Sequence, residues 1–316
     1  MDSLPNEVLR ILIDHLTFKQ KKSLYRVSRI WAYLILTFPI PIPRSYKCVK
    51  EIKADMPSIR PQFMENMYSV HHNKELLIIG CMMHVRIFDI EGCHIMNIKV
   101  NSSNVKVYIR SIAVNSKNQT IIIGYSDKIN IFDILGNCIK EFKYCDNRED
   151  VPINCIAVDE QSDKIIVANN KDNKIQIFDF NGNFLSSLEF NTQIRFVNIY
   201  VNKENSNIIF TCCKSQKYMI YVCNCHGIRI RKFIVENMDN SYILSRNNLI
   251  FVFDIQPLRT IKYDRMITIF DANGQLLSLL NMNFISGGQI KRITCLSNGT
   301  IVCTSSIKIL FLEPEY

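Results

Sequence analysis

One stretch that this chain repeats along its length limits the possible folds more than any other feature. Its clearest copy is Ile175-Gln176-Ile177-Phe178-Asp179-Phe180-Asn181-Gly182. Val85 to Gly92, Ile129 to Gly136 and Ile267 to Gly274 match it, and Ile220 to Gly227 is a worn version. The marker glycines Gly92, Gly136, Gly182, Gly227 and Gly274 stand 44, 46, 45 and 47 residues apart. A period in the forties built from short alternating strands is the signature of β-propeller blades.

Within one unit, an alternating apolar strand runs into Asp-x-x-Gly and out into a second alternating strand, which reads as a hairpin. Glycine supplies the positive φ such a turn requires, and Asp89, Asp133, Asp179 and Asp271 read as turn formers. Two further strand-like runs precede each hairpin, for example Cys155-Ile156-Ala157-Val158 and Lys164-Ile165-Ile166-Val167-Ala168. The expectation is four strands per blade.

A sixth unit ends the chain with three strands, around Ile293–Leu296, Thr300–Cys303 and Ile307–Leu312. A bare edge there would recruit foreign strands, so a fourth must come from elsewhere. Cys48-Val49-Lys50-Glu51-Ile52-Lys53 reads like Cys138-Ile139-Lys140-Glu141-Phe142-Lys143, the last strand of the second unit. Residues about 46–54 are therefore expected to close the ring, giving a mainly β fold with a six-bladed propeller over 46–316.

The 316 residues are 47% hydrophobic and 21% charged, enough to bury a sizeable core. No apolar run is long enough to span a bilayer, so no membrane association is expected. The 12 cysteines lie mostly inside strands, and no cleavable leader opens the sequence, so they read as reduced, strand-filling hydrophobes. An intracellular protein, cytoplasmic or nuclear, is expected. The net charge of +9 is uneven: residues 1–60 carry 11 Lys or Arg against 5 Asp or Glu, and the remainder 27 against 24. The ring is close to neutral, which argues against a phosphate-binding surface.

Residues 1–36 differ from everything after them. Leu9, Leu12, Ile13 and Leu16 recur at helical spacing, and Leu24, Val27, Trp31 and Leu34 outline a second helix. On pattern alone, a helical cap on the propeller fits as well as a docking module. Residues 37–45, with Pro39, Pro41 and Pro43 in alternation, suit a stiff, extended linker.

Leu4-Pro5-Asn6-Glu7-Val8-Leu9, then Leu16, then Val27-Ser28-Arg29-Ile30-Trp31 resembles the F-box motif in residue types and spacing. That resemblance implies an N-terminal α-helical F-box module that docks the Skp-type adaptor of a cullin–RING ubiquitin ligase. Leu4, Pro5, Val8, Leu9, Leu12, Leu16, Leu24, Val27 and Trp31 would then fill contact or packing roles in an apolar interface. Gln20-Lys21-Lys22 departs from the family, which has an acidic residue followed by two leucines there.

The third repeat unit, from Pro152 through Leu185, resembles an NHL repeat over its full length; the second and first do so partly, the others in outline. Six blades agrees with that family. The Gly-His and Trp-Asp signatures of WD repeats are absent, and the single tryptophan, Trp31, lies outside the ring.

No catalytic constellation emerges. His15, His71, His72, His84, His94 and His226 fall at non-equivalent blade positions, so no convergent metal site is expected. Cys212-Cys213 and Cys223-x-Cys225 lack zinc-site spacing, and no phosphate loop or nucleophile elbow occurs. No cofactor is expected. Binding is the better expectation. Two loops invite it: Asp254 to Asp264, with Arg259, Lys262 and Tyr263, and Lys143 to Asp150, with Tyr144 and Arg148. Arg110, Asn154 and Arg292 are read as equivalent first-strand positions at the channel mouth. Two functions follow. The chain is either a non-catalytic F-box substrate receptor whose propeller holds a target protein, or an RNA-binding NHL-type propeller with a helical cap.

Overall fold

A computed structural model of the protein describes residues 45–53, 64–70, 76–81, 84–100, 109–125, 127–144, 153–190, 193–214, 217–235, 241–246, 249–254, 266–281, 290–295, 300–305 and 308–315. The expected helical module over 1–36 lies outside them. So does the expected linker, except Ser45, which already belongs to a strand.

The described residues form 24 strands in six four-stranded antiparallel sheets. Blade one comprises β2 (Met64–Val70), β3 (Leu76–Cys81), β4 (His84–Asp89) and β5 (His94–Lys99). Blade two has β6 (Ser111–Asn115), β7 (Thr120–Tyr125), β8 (Lys128–Asp133) and β9 (Cys138–Lys143). Blade three has β10 (Cys155–Asp159), β11 (Lys164–Asn169), β12 (Lys174–Asp179) and β13 (Phe184–Glu189). Blade four has β14 (Arg195–Val201), β15 (Ile208–Lys214), β16 (Lys217–Cys223) and β17 (Arg229–Val235). Blade five has β18 (Ser241–Arg246), β19 (Leu249–Asp254), β20 (Met266–Asp271) and β21 (Leu276–Asn281). The last sheet has β22 (Ile290–Cys295), β23 (Ile301–Ser305) and β24 (Lys308–Glu315), and its outermost strand is β1 (Ser45–Lys53), paired antiparallel with β24.

Each blade's first strand lies against the first strands of its neighbours, and β22 lies against β2, so the six sheets close into a ring. Ser45–Glu315 is one compact unit.

The core is divided into layers between blades. Ile78, Val85, Ile112 and Ile121 pack blade one on blade two, and Ile131, Ile156, Ile165 and Phe178 pack two on three. Phe196, Phe210, Cys212 and Tyr221 fill the space between three and four, with the Phe210 and Tyr221 rings stacked 5.1 Å apart. In blades two, three and four burial falls from the second strand to the fourth: β7 is buried at all six positions, β9 at none. A second strand is sandwiched between neighbouring blades on both faces, whereas a fourth strand faces solvent at the rim.

The hairpin before each fourth strand is built as the repeated motif predicts. In blade two, Gly136 N–H donates to the Asp133 carbonyl at 3.1 Å, and the Asp133 carboxylate accepts from Asn137 N–H at 2.8 Å. Asp89, Asp179 and Asp271 do the same, and Asn224 takes over in blade four. A β-bulge follows each turn; in blade two Phe132 pairs with Cys138 but Ile131 with Lys140, leaving Ile139 unpaired and turned outwards. Val49, Ile95, Leu185 and Ile230 sit at the same bulge elsewhere and are likewise exposed.

Candidate functional site

Antiparallel strand order puts two kinds of connection at each end of a blade. The first-to-second and third-to-fourth strand turns share one end, and the second-to-third turns share the other with the links between blades.

At the link end, four asparagines hold neighbouring segments together. Asn154 Oδ1 accepts from Asn170 N–H at 2.8 Å, Asn170 Oδ1 from Phe196 N–H at 2.6 Å, and Asn173 Oδ1 from Ile194 N–H at 3.1 Å. The fourth, Asn169, is buried and donates through Nδ2 to Asp172 at 2.9 Å. These amides are engaged in fixing the β11–β12 turn to the link into blade four. Beside them, exposed Arg195 donates to the Tyr218 hydroxyl at 3.1 Å.

The expected ring-face residues divide as follows. Arg110 is exposed, with its N–H bonded to the Gly124 carbonyl at 2.8 Å. Asn154 takes the equivalent place in blade three, its N–H bonded to the Ala168 carbonyl at 3.0 Å. Arg292 does not share it. Arg292 pairs with Thr304, where Ser111 pairs with Gly124 and Cys155 with Ala168, so it stands one residue further into its strand. The reading of Tyr144 as a loop contact is corrected: it is 3% exposed and packs with Ile129, Ile131 and Ile153 in the layer between blades two and three. Its aromatic bulk at the end of β9 fills that layer, as Phe190 does one blade on. Arg148, Arg259, Lys262 and Tyr263 lie outside the described residues, as do Leu4, Pro5, Val8, Leu9, Leu12, Leu16, Leu24, Val27 and Trp31.

The opposite end holds a cluster that sequence reading missed. Asn115 and Asp159 end the first strands of blades two and three and Asn202 directly follows that of blade four, and each carboxyl or amide oxygen accepts the N–H two residues on. The residues just after them meet across the blades. Glu160 accepts from Ser116 Oγ at 2.6 Å and from Lys203 Nζ at 2.8 Å, and Lys203 also reaches Ser116 Oγ at 3.1 Å. Ser206 donates to buried Asp159 at 2.8 Å, adding a second tie between blades three and four. The available signal was the common step from Asn115 to Asp159 to Asn202, which makes Ser116, Glu160 and Lys203 one position written three times.

Burial pushes the Glu160 carboxyl up, but the Lys203 ammonium and the Ser116 hydrogen bonds outweigh it and hold the group below the ordinary glutamate range. A carboxyl with a lowered folded pKa adds stability above its unfolded pKa and loses that contribution as pH falls through the folded value. Glu160→Gln is therefore expected to cost about 1–2 kcal/mol at pH 7. Urea unfolding at pH 7 and below pH 4 should show the gap between wild type and variant shrinking with acidification.

Three buried cysteines are held as thiols rather than thiolates. Burial pushes Cys212 up to about 12 and Cys223 to about 11, and raises fully buried Cys303 as well. Among the described residues, no group of three His, Cys, Asp or Glu could hold a metal ion. Among the same residues, no helix is long and apolar enough to cross a membrane.

No family model and no curated protein matches the sequence. Solved structures do match in shape. A hydrazine synthase chain from Kuenenia stuttgartiensis superposes with a TM-score of 0.60 at 13% identity, over 80% of this chain and 75% of that one. A protein of unknown function from Bacteroides caccae gives 0.54 at 10%, over 79% and 87%. A chain of a mitotic checkpoint complex gives 0.60 at 8%, over 88% and 96%. At such identities the likeness is one of fold. The class of this protein is the six-bladed β-propeller closed by its N-terminal strand.

Proposed function

We propose that the chain is the substrate-recognition subunit of a Skp–cullin–F-box ubiquitin ligase, with residues 1–36 docking the Skp-type adaptor and the propeller holding a target protein. The observation that carries this reading is the spaced series Leu4-Pro5-x-Glu7-Val8-Leu9, Leu16 and Val27-Ser28-Arg29-x-Trp31, placed directly ahead of a ring that begins at Ser45. The NHL-like character of the third blade supports the division of labour, because a ring of such blades offers loops on a rigid frame. In this reading the protein does no chemistry itself and needs no cofactor.

Tagged full-length protein should capture the adaptor and a cullin from eukaryotic lysate. A Leu4→Ala/Pro5→Ala double variant should lose roughly 30-fold or more of that capture, since two buried interface anchors are removed. No adaptor on either protein, beside a known F-box protein that does retain it, overturns the proposal. Residues 1–36 would then be read as a helical cap, as their sequence pattern also allows, and RNA binding by the ring would be the question to test.

A further inference from the structure

The outer edge of blade four differs chemically from every other described edge. β17 pairs only with β16, so its second row of backbone N–H and C=O groups has no neighbouring strand among the described residues. Its first four residues, Arg229, Ile230, Arg231 and Lys232, are all exposed, and so is Ile234. Ile228, just before the strand, is 66% exposed; Ile230 is 48% and Ile234 55%. The edge thus presents three cations and three aliphatic side chains with no acidic residue among them.

On other rims, cations stand beside carboxylates. On β9, Glu141 pairs with Lys128 at 2.6 Å and Lys143 with Asp127 at 3.3 Å; on β13, Glu189 pairs with Lys174 at 2.7 Å; on β1, Lys50 pairs with Glu91. Among the described residues no carboxylate pairs with Arg229, Arg231 or Lys232. Two of the cations are nonetheless held in place. Arg231 Nη1 donates to the Asn273 carbonyl of blade five at 3.3 Å, and Lys232 Nζ stands 5.5 Å from the Tyr221 ring centroid. Held cations order at a lower entropic cost when a partner arrives.

We propose that β17 is a docking edge for an extended peptide segment of another protein in which aliphatic residues alternate with Asp or Glu. The segment would add as a fifth strand beside β17, over about 23 Å of edge for seven residues. Its main-chain groups would satisfy the unpaired row, its carboxylates would meet Arg229, Arg231 and Lys232, and its aliphatic side chains would cover Ile230 and Ile234. Charge selects this occupant: a second copy would bring like charges opposite one another, which disfavours edge-to-edge pairing of the ring with itself. The inference does not depend on the adaptor reading, because it concerns the rim of the ring alone.

The test uses full-length protein and fluorescein-labelled seven-residue peptides, followed by anisotropy. An alternating Asp/Glu–Ile/Val peptide is expected to bind. A peptide of equal charge interrupted by two prolines, which cannot form the ladder, is expected to bind about tenfold more weakly or worse. Arg229→Glu/Arg231→Glu/Lys232→Glu should weaken the alternating peptide by about tenfold or more, and its far-ultraviolet spectrum reports whether the ring is intact. If that variant does not fold, Arg229→Gln/Arg231→Gln replaces it. Amide exchange across β17 should slow on binding. Equal affinity for the proline peptide, no loss in a folded variant, or unchanged exchange at β17 overturns the proposal. So does tighter binding of oligouridylate of matched charge that displaces the peptide, which would make the edge a phosphate-binding surface.

Discussion

A chain lacking residues 1–53 is expected to lose its cooperative thermal transition or to aggregate, whereas a chain lacking only 1–44 keeps a folded ring. The nine residues between these two endpoints are β1. They pair with β24 from Ser45 opposite Glu315 to Lys53 opposite Lys308. Beneath that pairing Ile309, Leu310, Phe311 and Leu312 are all at most 4% exposed. β1 also binds the first blade, because Lys50 Nζ donates to the Ile90 carbonyl at 2.8 Å and pairs with Glu91; within its own sheet the same ammonium stands 5.5 Å from the Phe311 ring centroid. Losing a strand's worth of hydrogen bonds at about 1 kcal/mol each, along with its apolar cover, removes on the order of 5–10 kcal/mol. That is comparable to the whole stability of a typical domain. The bare β24 edge would then be open to pairing between molecules. Calorimetry and size-exclusion chromatography of the two truncations check this; a melting temperature within a few degrees for both would refute the closing role of β1.

The second large effect is expected at Gly182. Its φ is +82°, and a Cβ there would lie 2.6 Å from Phe142 Cγ and 3.0 Å from Phe142 Cβ. Gly182→Ala therefore meets two costs: about 1–2 kcal/mol for the left-handed backbone and about 1–3 kcal/mol for forcing the ring of Phe142 aside. A total of roughly 2–5 kcal/mol corresponds to a fall of about 4–10 °C in melting temperature for a chain of this size. Gly182→Ala/Phe142→Leu should recover part of the loss, because only the steric part is relieved. Asn181→Ala, in the same turn with an exposed side chain, should change stability by about 0.5 kcal/mol or less. Equal effects at 181 and 182 would show that the turn tolerates any residue.

Gly182 meets Phe142 because of a rule of the ring. Gly136 stands in the same relation to Ile98, Gly227 to Leu188 and Gly274 to Phe233, so these four hairpin glycines rest on the last strand of the preceding blade. Five glycines and their four aspartates could be read from the chain because a turn is a local object, decided by φ and by hydrogen bonds spanning a few residues. The reason for keeping four of those glycines, an aromatic or aliphatic side chain about 40 residues earlier, is not local. It requires the blades to be set side by side.

The binding candidates show the same division. Asn154 attracted notice as a polar residue at a channel mouth, yet its side chain is occupied with Asn170 N–H. Tyr144 attracted notice as a loop aromatic, yet the pleat turns it into the core. Arg292 was aligned by sequence with Arg110 and Asn154, but a bulge between Ile290 and Arg292 moves it by one residue. In a strand, one residue exchanges one face of the sheet for the other. Spacing in the sequence does not count the bulges.

The sequence alone was enough to determine the repeat, the number of blades, the four-strand unit with its Asp-x-x-Gly hairpin, and the Cys48–Lys53 likeness to β9 that marks β1 as the missing strand. All of these are written as alternation, turn chemistry and period along the chain. Only the tertiary structure decided that Ser116, Glu160 and Lys203 meet, that Tyr144 is packing, and that β17 carries cations without carboxylate partners among the described residues. Those outcomes depend on bulge positions and on which side chains face one another across blades, and the contacts among Ser116, Glu160 and Lys203 join residues one or two whole repeats apart.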